Sequence, residues 1–295
     1  MRAPTLLRGL LALSVAGVGC TPTPELLLDP DSSRLAGPGA DGPDGAVLIR
    51  REVRARGDRV IDVDIIAAAD EDGRALPQQT PVLFVHGGAA PPPRYHWIAQ
   101  HLASRGHVVV MPRFLFDLAL FAEANVEDSL AAVRQLSASE DVDLAGVVAA
   151  DEAVVMGHSL GAVGAASAFE RTPALHGLVM LSGYPDPAST PTRSDGFAVS
   201  IVGARDGLVD VDQVKDGVAA LRVPAVGAAV SGLTHYQLTD DPTEGELARE
   251  GTVGDDLALV RRRALFLMDA AVEDPLLARD PSRWIDGVTA LSETP

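Results

Sequence analysis

Apolar positions change their spacing at about residue 80 of the chain. Before that point, "AVLIRREVRARGDRVIDVDIIAAAD" carries two β-rich runs around Gly57-Asp58, and "VIDVDI" alternates apolar residues with acidic ones. Alternation of this kind turns one face to a core and the other to water, and a Gly-Asp break between two such runs predicts an antiparallel hairpin. Beyond it the apolar runs become continuous. "TPVLFVHGG" leads into the helix-compatible "YHWIAQHLASRG", and "HVVVMP" follows. "EAVVMGHS" leads into a helix over "LGAVGAASAFERT"; "HGLVMLSGY" comes next, then "FAVSIVGARDG" with a helix over "VDQVKDGVAALR", and then "VPAVGAAVSGLTH". Strands with no polar face must be covered on both sides, so this half predicts an α/β fold with a mostly parallel central sheet and helices on both faces. "GDDLALVRRRALFLMDAAV" has apolar residues at helical spacing and predicts an amphipathic helix packed on that sheet.

Upstream of the hairpin the pattern differs. "MRAPTLLRGLLALSVAGVGC" has Arg2 and Arg8, an apolar stretch through Val18 and small residues at Gly17 and Gly19. That layout predicts an export signal over residues 1–19, with an apolar run too short to span a bilayer. Cys20, the sole cysteine, stands directly after the run and resembles the lipidated cysteine of a bacterial lipoprotein signal. Gly17 occupies the position where that signal usually has an aliphatic residue, and Gly17 and Gly19 equally suit an ordinary signal peptidase. With Cys20 acylated, the protein would sit on a membrane by its lipid alone. Residues 20–45 are rich in Pro, Gly, Asp and Ser and read as a flexible tether, which leaves residues 46–295 as the folded domain.

Composition narrows the partners. A chain of 295 residues with 47% hydrophobic residues is long enough for one large domain. Its formal net charge of -17, with no Lys/Arg cluster to offset it, excludes a nucleic-acid partner. The chain has no C-x-x-C, H-E-x-x-H or Asp-rich calcium loop, so neither a metal nor another cofactor is expected.

Chemistry concentrates at Gly157-His158-Ser159-Leu160-Gly161, a G-x-S-x-G sequence between a continuous apolar strand and a small-residue helix. A serine hydroxyl is a weak nucleophile that needs a base in reach and a carboxylate to orient the base. When the serine stands on a strand-to-helix turn, the acid and then the histidine follow at later strand ends. Asp206 follows the strand in "FAVSIVGARDG", and His235 follows the next in "VPAVGAAVSGLTH". Asp-Gly is also a common turn pair, and a loop histidine is unremarkable alone. Three such residues in the required order outweigh those readings. Asp186, in "SGYPDPAST", is the rival acid; Asp210 is a further one, better suited to starting a helix. The oxyanion of a tetrahedral intermediate needs backbone donors, for which Leu160 N–H and the amide of Gly88 or Ala89, after His86, are the candidates. Tyr95, His96 and Trp97 are read as pocket lining or as packing.

These motifs, together with "FVHGG", "YHWIAQHLASRGHVVVMPRF" and "GARDGLV", resemble the α/β-hydrolase family from about residue 80 to 270, and most closely its dienelactone-hydrolase, chlorophyllase and platelet-activating-factor acetylhydrolase-like branch, which has no lid. The resemblance implies Ser159 as nucleophile, Asp206 as acid, His235 as base and a small or lipid-like ester as substrate. Only residues 182–196 separate the strands where relatives insert a lid, so no large lid domain is expected. Dienelactone hydrolases proper use a cysteine nucleophile, so the serine argues against that activity. "RFLFDLALFAEANVED" lacks an Asp-rich opening found in many relatives, and substrate contacts do not transfer there.

Overall fold

A computed structural model describes residues 24–28, 42, 44–54, 60–114, 122–138, 141, 143–148 and 153–294. The expected signal peptide and Cys20 lie outside the described residues. The sheet begins earlier than the pattern predicts: Glu25–Leu28 forms a short strand, β1, inside the stretch read as a tether, antiparallel to β2 (Gly45–Arg54). "ELLL" is a part of that stretch without Pro, Gly or Asp, and it supplies partners for backbone groups that β2 would otherwise expose along an edge.

β2 and β3 (Val60–Ala69) form the hairpin, paired from Gly45↔Ala69 to Arg54↔Val60. The predicted strands follow as β4 (Thr80–Val85), β5 (His107–Pro112), β6 (Ala153–His158), β7 (Leu175–Leu181), β8 (Phe197–Gly203) and β9 (Ala225–Val230). All six run parallel, and every residue of β5, β6, β8 and β9 is buried, as continuous apolar runs require. The sheet order is β1-β2-β3-β5-β4-β6-β7-β8-β9-β10, where β10 (Val288–Thr294) pairs antiparallel with β9 and closes that edge. Nothing in the sequence pattern predicts β10, because most of its residues are half-buried and form no continuous apolar run.

Helices cover both faces. On one face lie α1 (His96–Ser104) and α6 (Leu257–Glu273), whose Ile98, Leu102, Val260, Leu267 and Met268 pack on Val82, Phe84, Val154 and Ile201. On the other lie α2 (Ala122–Ala138), α3 (Leu160–Arg171) and α4 (Val211–Ala219), whose Val126, Leu130, Phe169, Val214 and Val218 pack on Leu83, Val155 and Met180. Each such side chain, once buried, contributes about 1.5–3 kcal/mol. α2 was not anticipated, although Val126, Leu130, Val133 and Leu136 have helical spacing. Between β7 and β8, residues 182–196 hold no helix or strand, so no lid domain stands there. A short helix, α5 (Glu244–Glu250), precedes α6 instead, built on a Thr243–Glu246 capping box. The fold is that of an α/β hydrolase.

Candidate active site

The carboxyl ends of parallel strands are where α/β sheets build their sites. Three of the five described non-glycine residues with positive φ sit there: Ala89 (57°), Ser159 (55°) and Ser182 (44°), after β4, β6 and β7. Each such conformation costs on the order of 1–3 kcal/mol and persists only where its surroundings enforce it.

At Ser159 the enforcement is visible. Its amide donates to Leu181 O at 2.9 Å, and its φ of 55° with ψ of -123° turns β6 directly into α3. A Cβ on Gly161 would stand 2.2 Å from Val85 O, and one on Gly157 would stand 2.3 Å from Gly161 O. Both glycines of the motif are therefore demanded by backbone pressed on backbone. Leu160 N–H is the first amide of α3 and has no intrahelical acceptor.

The loop after β4 faces that turn, with Gly88 against the Leu160 side chain. Gly87 N–H donates to Tyr95 Oη at 3.0 Å, Gly87 O accepts from Ala90 N–H at 3.4 Å, and His86 Nδ1 lies 2.8 Å from the same oxygen. Phe114 N–H donates to His86 Nε2 at 3.3 Å, which makes His86 Nδ1 the donor to Gly87 O and ties this histidine to the loop. The amides of Gly88 and Ala89 find no acceptor among the described residues, which leaves them able to donate elsewhere.

Asp206 and His235 meet. His235 Nδ1 lies 3.0 and 3.2 Å from the two carboxylate oxygens, with the acid side chain fully buried and the imidazole nearly so. Asp206 Oδ1 also accepts from Leu208 N–H at 2.9 Å and Val209 N–H at 2.8 Å, so the turn reading of this aspartate holds as well. Burial pushes its carboxyl up, but the bond to His235 and the two amides outweigh burial and hold it below the ordinary carboxylate value. Asp186 does not reach His235. Its carboxylate accepts from Ala188 N–H and Ser189 Oγ within its own loop. Asp210 caps α4 through Asp212 N–H.

The histidine travels far to get there. β6 and β9 are three strand intervals apart, about 14 Å. Yet the His235 ring lies 4.7 Å, centroid to centroid, from that of His158 beside Ser159. Two anchors bring the loop back. Glu250, at the end of α5, accepts from the amides of His235 and Tyr236. Burial pushes the Glu250 carboxyl up although those amides pull it down, so its charge is kept there at a cost. Arg94, just before α1, forks onto both Glu246 oxygens at 2.7 and 3.0 Å and also donates to Thr239 Oγ1 and Asp240 O. Among the described residues no hydrogen bond joins Ser159 Oγ to His235 Nε2. Nδ1 is committed to Asp206, which leaves Nε2 for proton exchange.

The aromatic triplet at the start of α1 is held by packing and polar contacts. Tyr95 is fully buried, His96 Nε2 pairs with Asp64 at 3.0 Å, and Arg261 lies over the Trp97 ring at 4.0 Å. Glu250, Arg94 and Glu246 went unread in the sequence. The signature Thr243-x-x-Glu246 was the one local signal for the helix that carries Glu250. Among the described residues no group of three or more His, Cys, Asp or Glu is placed to hold a metal ion, and no helix is long and apolar enough to cross a membrane.

Comparison with curated proteins gives no match. Comparison with protein families gives one over residues 81–241, more than half of the chain, to the family described as "Alpha/beta hydrolase family". That span runs from β4 through His235 and takes in the carboxyl ends of β4 to β9, and the chain belongs to the alpha/beta hydrolase family.

Proposed function

We propose that the protein is a serine hydrolase that cleaves carboxylic esters through an acyl-enzyme. The observation that carries this reading is the buried Asp206–His235 pair stacked beside the strained turn that presents Ser159. Ser159 Oγ attacks the ester carbonyl as His235 Nε2 takes its proton, and Asp206 holds the ring by Nδ1–H and stabilises the imidazolium. The oxyanion is held by Leu160 N–H and by the amide of Gly88 or Ala89, donors fixed before reaction begins. His235 returns the proton to the departing alkoxide, and a water molecule, activated the same way, releases the acid. Leu160, 45% exposed beside the nucleophile, offers an apolar wall to an acyl or alkyl group.

Ser159→Ala is expected to lower kcat on a short p-nitrophenyl ester by about 10⁶-fold while the melting curve stays nearly unchanged. Turnover retained in that variant would overturn the assignment. The missing Ser159–His235 hydrogen bond favours a second reading, a binding protein on an idle hydrolase scaffold. A fluorophosphonate separates the two: folded protein that stays unlabelled at Ser159 is the binder. The signal read over residues 1–19, with Cys20, supports export to the cell envelope. The mass of the mature N-terminus tests it, with residue 20 first and acylated in the anchored form.

A further inference from the structure

We infer that Tyr95 is a positioning residue that sets the oxyanion loop and the base against one another, acting through Gly87 on one side and His158 on the other. The inference rests on the serine-hydrolase reading above.

Tyr95 ends the single helical turn Pro92–Tyr95 that leads into α1, and its whole side chain is buried. Its oxygen has two partners: Gly87 N at 3.0 Å and His158 Nδ1 at 2.8 Å. Gly87 supplies a proton to that oxygen, so the phenol's own proton has one place to go, the His158 Nδ1 lone pair. Burial pushes the Tyr95 phenol up, which keeps that proton in place at any working pH. His158 is then the Nε2–H tautomer, with Nε2 buried and without a hydrogen-bond partner among the described residues. Burial first, and the adjacent His235 second, push its imidazole well below its ordinary value, so the ring stays neutral.

Each partner passes this order to a reacting element. Gly87 begins the turn whose next two amides, Gly88 and Ala89, are unused within the protein; with Gly87 N–H, Gly87 O and Ala90 N–H all bonded, the aim of the free pair is set. His158 lies one residue before Ser159, and its ring packs against the His235 ring at 4.7 Å between centroids, tilted by 45°. Around His235 the remaining charged and titratable groups are Asp206 on Nδ1, Glu250 on the backbone amide and Tyr236, whose ring meets the imidazole edge-on at 5.2 Å. One phenol oxygen thus joins the strand ends of β4 and β6 and, through a ring contact, the loop after β9.

Tyr95→Phe tests this. Phenylalanine keeps the ring and its packing on Phe84, at 4.9 Å between centroids, and removes only the oxygen. The expected result is a loss in kcat of about 10- to 100-fold with KM within about twofold, since a displaced donor fails the transition state rather than the bound ester. Affinity for a trifluoromethyl ketone, whose hemiketal oxyanion occupies the same hole, falls in parallel. A purely structural tyrosine would lower the melting temperature and leave kcat and ketone affinity unchanged at temperatures where the variant is folded; that result overturns the inference. If Tyr95→Phe does not fold, His158→Asn replaces it, keeping an acceptor for the phenol while removing the ring packed against His235. There too kcat is expected to fall at near-constant KM, and unchanged kcat overturns the inference. Fluorophosphonate labelling of the unaltered protein runs alongside. No label on Ser159 removes the underlying reading; label and turnover with Tyr95→Phe equal to the parent remove this inference alone.

Discussion

The proposed nucleophile and the proposed base are held by opposite means. Ser159 is fixed by backbone: two glycines within the pentapeptide, a hydrogen bond from its amide to Leu181 O on the adjacent strand and the start of the helix that follows. His235 is fixed by side chains, with Asp206 on its ring, Glu250 on its backbone, and Arg94 fastening the loop to the entry of α1 across more than half of the sequence. The first arrangement is backbone geometry and leaves little to adjust. The second is a set of side-chain bonds, each removable without rebuilding a strand, so the two halves should fail differently.

After the proposed nucleophile, the largest effect should come from the proposed acid. Asp206→Asn is expected to lower kcat about 10⁴-fold, because the amide cannot hold His235 in the tautomer that exposes a basic Nε2. Asp186→Asn should leave kcat within about twofold, and the opposite ranking would move the acid to β7. The same variant carries a pH signature. Because the folded Asp206 carboxyl is depressed, its contribution to stability is present above the unfolded value near 3.9 and is lost as pH falls through the lower folded value. Denaturant midpoints of the parent and Asp206→Asn should therefore converge in acid, and a gap that widens there contradicts the assignment.

Gly161→Ala strikes the other half. A methyl 2.2 Å from Val85 O forces β4 and the turn apart, at a cost of about 1–3 kcal/mol, and should abolish fluorophosphonate labelling even in folded protein. Labelling at the parental rate would show that the turn is looser than its contacts imply. Glu250→Gln is the mildest. A glutamine offers one acceptor where two amides need two, so a stability loss of about 1–2 kcal/mol and a fall in kcat of about 10-fold are expected by urea titration and steady-state rates. Part of the loss is offset because the buried charge disappears as well.

The same contrast decides what the sequence makes legible. Ser159 can be read from five residues because the constraint is local, and continuous apolar runs announce β4 to β9 because burial on both faces leaves no other composition. Asp206 and His235 are reachable through the order in which strand ends must be used, while the choice against Asp186 needs the carboxylate placed within 3.0 Å of Nδ1. Glu250 and Arg94 leave no mark in a one-dimensional pattern, since an acid at the end of a short helix looks like any solvated acid until the fold brings two amides onto it. Tyr95 is misleading for a related reason: an aromatic before a helix says packing or pocket, and its use lies in one oxygen. β1 escapes notice because three leucines among prolines and glycines are too short a run to outweigh their surroundings.

That small strand changes the reach of whatever precedes it. With the sheet taken to begin at Gly45, a group carried on Cys20 would trail on as much as about 90 Å of extended chain; pinned at Glu25, it has a leash of about 18 Å at most. An acyl group on that cysteine would hold the β1 edge of the sheet almost against the lipid headgroups, and the proposed esterase would sample a thin layer of ester at the surface rather than a wide volume around it.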